Sequence, residues 1–305
     1  MSPAVLIVGA SGLVGSSLMR ELTPRHHVVG TYFRNPLPSC IPLDLRNREE
    51  VRSVVHRFKP EVVLCPAAEP NVELCETDPA GTREVNVLGL QNLVAAVSDV
   101  GAFLVYFSSE YVFNGESGPY SENDVCKPLN EYGRQKWECE RMIAAQLDRY
   151  IIGRVSGVYD WEERKKNFVI RLIESLGEGR PYKVPNDQVI TPTFARNLAR
   201  VVSRLVDDSR CGIFHLSGSL PLLRNEFAQL IADTFDLDPA LIVPVPTVEL
   251  KLRAPRPKSA GLKCDKAQVL LDFPIVDPHE GLETMKIECE QDSSLWPATN
   301  AVGRD

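Results

Sequence analysis

Tyr132 and Lys136 stand four residues apart in E-Y-G-R-Q-K, at the start of a helical segment that runs to about residue 147. That spacing places a phenol and an ammonium on one face of a helix. A phenol titrates near a pKa of about 10, and a neighbouring cation favours the phenolate. The pair is therefore a candidate proton donor of tuned acidity. Two hydroxyls, Ser108 and Ser109, follow the apolar run 103–107, which reads as a buried parallel strand. A serine at a strand end can hydrogen-bond a substrate oxygen while a phenol protonates it. The chain holds 8 tyrosines, so the Tyr-x-x-x-Lys spacing alone also fits a plain helix-surface pair. The elements around it must decide.

The N-terminal stretch supplies a place for a dinucleotide. Residues 4–8 form a short apolar strand that runs into Gly9-Ala-Ser-Gly12-Leu-Val-Gly15 and then into a helical run to residue 22. Glycines in this position allow a tight turn and a close approach of backbone to a pyrophosphate. The helix N-terminus offers free N–H groups and a positive dipole end. Ser11, Leu13 and Val14 fill the same turn and belong to the expected cofactor contacts. A plain glycine turn would need neither flank. The second strand, 27–32, leads to Phe33-Arg34. A site selective for NAD carries an acid about 20 residues past the glycines, bonded to the ribose hydroxyl. No acid stands there, and Arg34 can pair with a 2′-phosphate. NADPH is the expected cofactor, with NADH possible.

The next elements frame the same edge of the sheet. Residues 40–45 read as a third strand ending in Asp44 and Leu45, and 48–58 as a helix. Residues 60–68 read as a fourth strand whose small terminal residues, Ala67 and Ala68, let a cofactor pass close by. In the long helical stretch 79–97, Asn86 is a polar residue in a core-facing region. It is either a structural hydrogen-bonder or a brace for the catalytic strand.

At 305 residues and 44% hydrophobic, the chain can form one large domain or a large one with a smaller partner. The net charge of -7 argues against a nucleic-acid partner. No apolar run approaches the ~18 residues of a membrane span. The start of the chain has no signal-peptide pattern. The eight cysteines form no C-x-x-C pair, which predicts reduced thiols in a cytoplasmic protein. The five histidines show no metal-ligand spacing, and no metal site is expected.

Beyond the strand 150–155 the strict strand–helix alternation loosens. A charged loop, 161–166, precedes a helix over 167–176. Residues 182–193 are loop and strand, and helix 194–206, strand 212–217 and helix 224–235 follow. Residues 244–258 are rich in proline and base, an ordered loop whose cations can face a diphosphate or merely solvent. The last fifteen residues read as a loose tail. The expected architecture is α/β: a Rossmann-type doubly wound parallel sheet with a smaller C-terminal substrate-binding lobe. Residues 1–155 form the cofactor domain, and 156–305 mainly the lobe, with some segments returning to the first domain.

Taken in order, the Gly9/Gly12/Gly15 turn, Asp44, Asn86, Ser109 and Tyr132/Lys136 resemble an extended short-chain dehydrogenase/reductase. The stretches S-S-E-Y-V-F-N-G, P-Y-S-E-N-D, P-L-N-E-Y-G-R-Q-K, N-D-Q-V-I-T-P-T and R-P-K-S-A-G-L-K-C-D-K resemble the dTDP-4-dehydrorhamnose reductase family nearly end to end. The resemblance implies reduction of the C4 ketone of a nucleotide-activated 4-keto-6-deoxy sugar by a nicotinamide cofactor. Tyr132 would then protonate the ketone oxygen. Lys136 would hold the ribose and lower the tyrosine pKa, and Ser109 would bond the same oxygen. The glycines would cradle the pyrophosphate. Asp44 and Leu45 would lie by the adenine, and Ala67 and Ala68 by the nicotinamide ribose. Ser108 and Asn86 count with the cofactor side. Glu110, Tyr111, Gln188, Thr193 and Arg256 would face the sugar nucleotide.

Two departures bear on substrate geometry. Glu110 replaces the usual Asp after the hydroxyl, and Glu73 replaces the common Asp in V-E-L-C-E. A second resemblance runs through V-G-A-F-L-V-Y-F-S-S-E-Y-V-F-N-G, Phe33-Arg34, R-P-K-S-A-G-L-K-C-D-K and the tail S-L-W-P. It is to the regulatory β-subunit of methionine adenosyltransferase, which implies an NADP-binding partner protein without turnover. Three readings stay open: a reductase working alone or as a homodimer, a regulatory subunit bound to a methionine adenosyltransferase catalytic subunit, and an epimerase or dehydratase of the same superfamily.

Overall fold

The computed structural model describes residues 4–292 and Leu295. Most of the tail 291–305, including nearly all of S-L-W-P, lies outside the described residues, as do residues 1–3.

The first half alternates strands and helices. Strands β1 (Ala4–Val8), β2 (His27–Tyr32), β3 (Cys40–Pro42), β4 (Val62–Cys65), β5 (Phe103–Ser109) and β6 (Tyr150–Val155) are joined through helices α1 (Leu13–Leu22), α2 (Arg48–Phe58), α3 (Val72–Thr77), α4 (Pro79–Arg83), α5 (Gly89–Val100) and α6 (Glu131–Gln146). Every residue of β4 and β5 is buried, as continuous apolar runs in a sheet covered on both faces require. Side-chain alternation divides the core in two. Val5 and Ile7 of β1 pack with Leu18 and Leu22 of α1 on one face. Leu6 and Val8 pack with Val51 of α2, Leu93 of α5 and Ile143 of α6 on the other.

The second half contains β7 (Val158–Tyr159), α7 (Phe168–Gly177), β8 (Tyr182–Pro185), β9 (Val189–Ile190), β10 (Thr193–Phe194), α8 (Ala195–Asp207), β11 (Gly212–His215), β12 (Leu222–Leu223), α9 (Arg224–Thr234), β13 (Ile242–Val245), α10 (Asp265–Gln268) and α11 (Pro278–Gln291). Here α8 and β11 return to the first unit. Leu198, Val202 and Leu205 of α8 join the α1 face of the core, and β11 pairs in parallel with β6. The order β11-β6-β5-β4-β1-β2-β3 is a seven-stranded, all-parallel, doubly wound sheet. Its direction of winding reverses between β1 and β4, where strand ends diverge and ligands bind. A separate core joins Tyr159, Ile173, Phe227, Ile231, Leu282 and Met285 into the smaller lobe.

The structure differs from the sequence reading in detail. The helix expected over 79–97 is broken by a π-helical turn at Glu84–Leu88, which carries Asn86. Helix α3 is too short, at six residues, to show a period. Helix α11 was not expected, and it covers the lobe core with Leu282 and Met285. The proline-rich stretch begins as a strand, since β13 pairs with β8. No helix among the described residues is long and apolar enough to cross a membrane. Cys65, Cys75, Cys139 and Cys264 are buried and uncrosslinked.

Candidate active site

Strand β5 ends at Ser108 and Ser109, whose side chains point to opposite faces of the sheet. The hydroxyl of Ser109 donates to Glu110 Oε2 at 2.8 Å and accepts from the Tyr111 N–H at 3.2 Å. This second bond caps the 3₁₀ turn Glu110–Val112 and fixes the serine rotamer. Helix α6 then brings its first turn against that 3₁₀ turn. Asn130 caps the helix by accepting from Gly133 N at 2.9 Å and donates to Pro255 O at 2.9 Å. A Cβ on Gly133 would lie 2.1 Å from the Tyr111 carbonyl oxygen, so the close approach demands glycine. Tyr132 thereby meets Tyr111 edge-on, with ring centroids 5.8 Å apart, and faces the Ser109 hydroxyl.

Lys136 is buried one turn further on. Its ammonium donates to Phe107 O at 2.8 Å, lies 4.6 Å from the centre of the Tyr106 ring, and lies 5.8 Å from that of Tyr132. Burial lowers the lysine pKa. The tyrosine departs from the expectation of a lowered pKa. Burial, then the Glu110 charge, push the Tyr132 phenol well above its usual value, and the Ser109 hydroxyl offsets this only in part. Desolvation outweighs the nearby ammonium. A phenol held neutral in this way is in its donor form. Glu110 itself is 6% exposed, and burial raises its pKa to about 7, against hydrogen bonds from Ser109 and Ser156.

The glycine turn fits a dinucleotide. Gly9 has φ +93°, and a Cβ on it would lie 2.9 Å from the Ala67 Cβ. A Cβ on Gly15 would lie 2.1 Å from Gly9 O. Gly9 thus brings the turn against Ala67, just past β4, and Gly15 lets α1 pack directly on the turn. Gly12 caps α1 without any side-chain hydrogen bond, and the first turn, with Leu13 and Val14, holds no acid. That leaves the positive end of the helix for an external anion. Ser11 and Ala68 are half-buried beside it.

Farther along the edge, exposed Phe33 lies between two guanidiniums, Arg34 at 5.4 Å and Arg46 at 5.1 Å from the ring centre. Arg34 is 4.0 Å from Glu69. Asp44 accepts from Arg46, with Nη2 at 2.7 Å, which holds its carboxyl below the usual range. The Leu45 carbonyl accepts from Asn92 at 2.9 Å. Arg46 is a cation that the sequence reading passed over, because it lies two strands' length from the glycines.

Two residues assigned to the cofactor side have other partners. Ser108 faces away from this group and donates to Glu140 Oε1 at 2.5 Å. Asn86 accepts from Glu69 N at 2.7 Å and donates to Gln135 Oε1 at 2.8 Å, bracing the loop after β4 against α6.

On the lobe side, Arg256 donates to Glu73 Oε1 at 2.8 Å and lies 5.8 Å from the Tyr111 ring centre. Glu73, one of the two departures, also accepts from Arg253 N at 2.9 Å. Gln188 is buried and donates to Thr247 at 2.9 Å. The Thr193 hydroxyl donates to Ser156 O at 2.6 Å, so it ties β10 to the end of β6 instead of opening toward a ligand. Sequence reasoning missed Arg224, at the start of α9. Its Nε is buried without a hydrogen-bond partner, and its charge acts on both Glu110 and Tyr111. Nothing in its sequence context marks it.

A doubly wound sheet, an uncapped glycine turn at its first helix and a Ser–Tyr–Lys group at the same carboxyl edge define an extended short-chain dehydrogenase/reductase, an NAD(P)-dependent oxidoreductase. The family "RmlD substrate binding domain" matches residues 3–290, and the chain belongs to it. Methionine adenosyltransferase 2 subunit beta from Rattus norvegicus is 32% identical over 277 residues, covering 88% of this chain and 83% of that protein. The dTDP-4-dehydrorhamnose reductase of Aggregatibacter actinomycetemcomitans is 28% identical over 300 residues, covering 94% and 99%. The crystal structure of dTDP-4-dehydrorhamnose reductase from Bacillus anthracis in complex with NADP superposes with a TM-score of 0.86 at 29% identity, covering 94% of this chain and all of that one.

Proposed function

We propose that this chain reduces the C4 ketone of a nucleotide-activated 4-keto-6-deoxy sugar. NADPH, when bound, supplies the hydride to the carbonyl carbon. The chain's own part is positioning and proton delivery. Ser109 hydrogen-bonds the carbonyl oxygen, and Tyr132 delivers a proton to it. Lys136, held by the Phe107 carbonyl, places its charge under the phenol, where it stabilises the tyrosinate left by the transfer. Gly9, Gly12, Gly15 and the first turn of α1 take the pyrophosphate, and Arg34 the 2′-phosphate. Arg224 and Arg256, both near Tyr111, offer positive charge to the substrate's diphosphate. The observation that carries the reading is the convergence of Ser109, Tyr132 and Lys136 at the edge that also holds the glycine turn.

The test is NADPH oxidation with a dTDP-4-keto-6-deoxy sugar, followed at 340 nm beside Tyr132→Phe. Turnover that depends on the tyrosine supports the reductase. A second reading follows from the 32% identity to the adenosyltransferase subunit: a nucleotide-binding regulatory partner. Tight NADPH binding with no turnover on any keto-sugar, and co-purification with a methionine adenosyltransferase catalytic subunit, would establish that reading instead.

A further inference from the structure

The charged loop 161–166 joins β7 to α7 and belongs to the smaller lobe. Its shape is fixed from within. Glu162 Oε1 accepts from Lys166 N at 2.9 Å and from Asn167 N at 2.6 Å. Asn167 in turn caps α7 by accepting from Ile170 N at 3.2 Å. Trp161 anchors the loop by donating to Met285 O at 3.0 Å. Lys165 pairs with Glu174 of α7 and so turns back into the lobe. Arg164 goes the other way. Its Nη2 crosses to the cofactor domain and donates to Ser11 O at 2.7 Å, inside the glycine turn. Beyond the residues adjacent in the chain, the groups nearest the position a Gly12 Cβ would take are the Gly9 carbonyl oxygen at 3.4 Å and Arg164 Nη2 at 3.7 Å.

A single carbonyl does not account for a guanidinium here. Four of its five N–H donors are not used by that bond. Its charge also stands beside Gly12, the cap of α1, where the helix dipole is positive and the first turn holds no acid. Two positive ends held together repel each other unless an anion lies between them. A diphosphate in the turn would remove that conflict and could take two of the remaining donors in a bidentate fork.

We propose that Arg164 is a clamp, supplied by the smaller lobe, that closes over the pyrophosphate of the bound dinucleotide. The inference rests on the NADPH reading above. It adds that retention of the cofactor depends on a residue of the substrate lobe, so cofactor affinity and lobe position are coupled.

The experiment measures dissociation constants of NADPH, NADH and adenosine 2′-monophosphate for wild type, Arg164→Ala and Arg164→Lys, at low and high salt, with thermal melts of the unliganded proteins. A charge-assisted contact of this kind corresponds to about a tenfold or larger effect. Arg164→Ala should weaken NADPH and NADH by the same factor and reduce the salt dependence. It should leave the monophosphate, which has no pyrophosphate, bound as tightly as before. Arg164→Lys should recover part of the loss, and the unliganded melts should coincide. Equal dinucleotide affinity in wild type and Arg164→Ala would overturn the clamp alone, as would parallel weakening of the monophosphate. Failure of the wild type to bind either dinucleotide would overturn the cofactor reading and the clamp with it.

Discussion

Ser108 and Ser109 are neighbours on one strand, yet they open onto two buried polar centres of opposite character. On the Ser108 side, Glu140 and Arg154 are each 1% exposed and joined by Nη2–Oε2 at 2.7 Å and Nε–Oε1 at 3.0 Å. Ser108 completes the carboxylate, and Arg154 also reaches Cys126 Sγ at 3.2 Å and lies 5.0 Å from the Phe113 ring centre. His215 stands 3.4 Å from the same guanidinium. Burial and then that charge lower its pKa to about 3, so it is a neutral ring in the pair's shell. On the Ser109 side, Glu110 has hydroxyl partners in Ser109 and Ser156 but no ion pair among the described residues, and Arg224 Nε has no hydrogen-bond partner. Groups satisfied on every side hold a structure together. Buried groups left short of partners are where a ligand has something to gain. The first centre pins α6 to β5 and β6, which leaves the second free for the ligand of the proposed function.

The largest test of that division crosses the two sides. Tyr132→Phe should lower turnover about 10²- to 10⁴-fold, the usual range for a general acid. It should leave urea-denaturation stability within about 1 kcal/mol, because a ring of the same shape remains. Arg154→Met should do the reverse on stability, costing about 3–5 kcal/mol by leaving Glu140 buried without its cation. The double variant Arg154→Met/Glu140→Leu should recover much of that loss. If Arg154→Met is as stable as wild type, the Ser108 side is not the anchor described above. If Tyr132→Phe unfolds the protein, the two sides are not separable.

The sequence made the Ser109 side legible because its signals are short-range. A glycine spacing between a strand and a helix, and a Tyr and Lys one helical turn apart, carry their geometry with them. Strand periodicity also says that Ser108 and Ser109 diverge. It does not say which of them faces the cleft, since that depends on Glu140 and Arg154 packing on one side. Arg224 and Arg164 were invisible for a related reason. An arginine at a helix start or in a charged loop looks like any solvated cation until the fold brings Glu110 or Ser11 to it across more than a hundred residues. The acidity of Tyr132 was misjudged because spacing gives the ammonium but not the burial, and burial is the larger influence. Helix α11 escaped because its apolar face is confined to residues such as Leu282 and Met285.

A smaller effect distinguishes the two centres by pH. Burial raises the Glu110 pKa from 4.5 to about 7, with Arg224, Tyr111 and Tyr132 as its charged or titratable neighbours. The native state therefore holds this proton more tightly than the unfolded chain does. Its own contribution to stability should fall as pH rises from about 4.5 to about 7 and then level off, by a limit on the order of 3 kcal/mol. His215 acts with the opposite sign. Its pKa is lowered from 6.5 to about 3, so its contribution grows as pH rises through that interval. In a comparison of wild type with Glu110→Gln the histidine is common to both and cancels. The difference in unfolding free energy, measured from pH 4.5 to 8, should shift toward the variant as pH rises. A flat difference would mean that Glu110 is not held short of partners, and that the Ser109 side is as well satisfied as the Ser108 side. The same substitution removes the charge that helps hold the Tyr132 phenol up. Any activity it retains should then show its alkaline limb at lower pH, which ties the carboxyl without an ion pair to the phenol beside it.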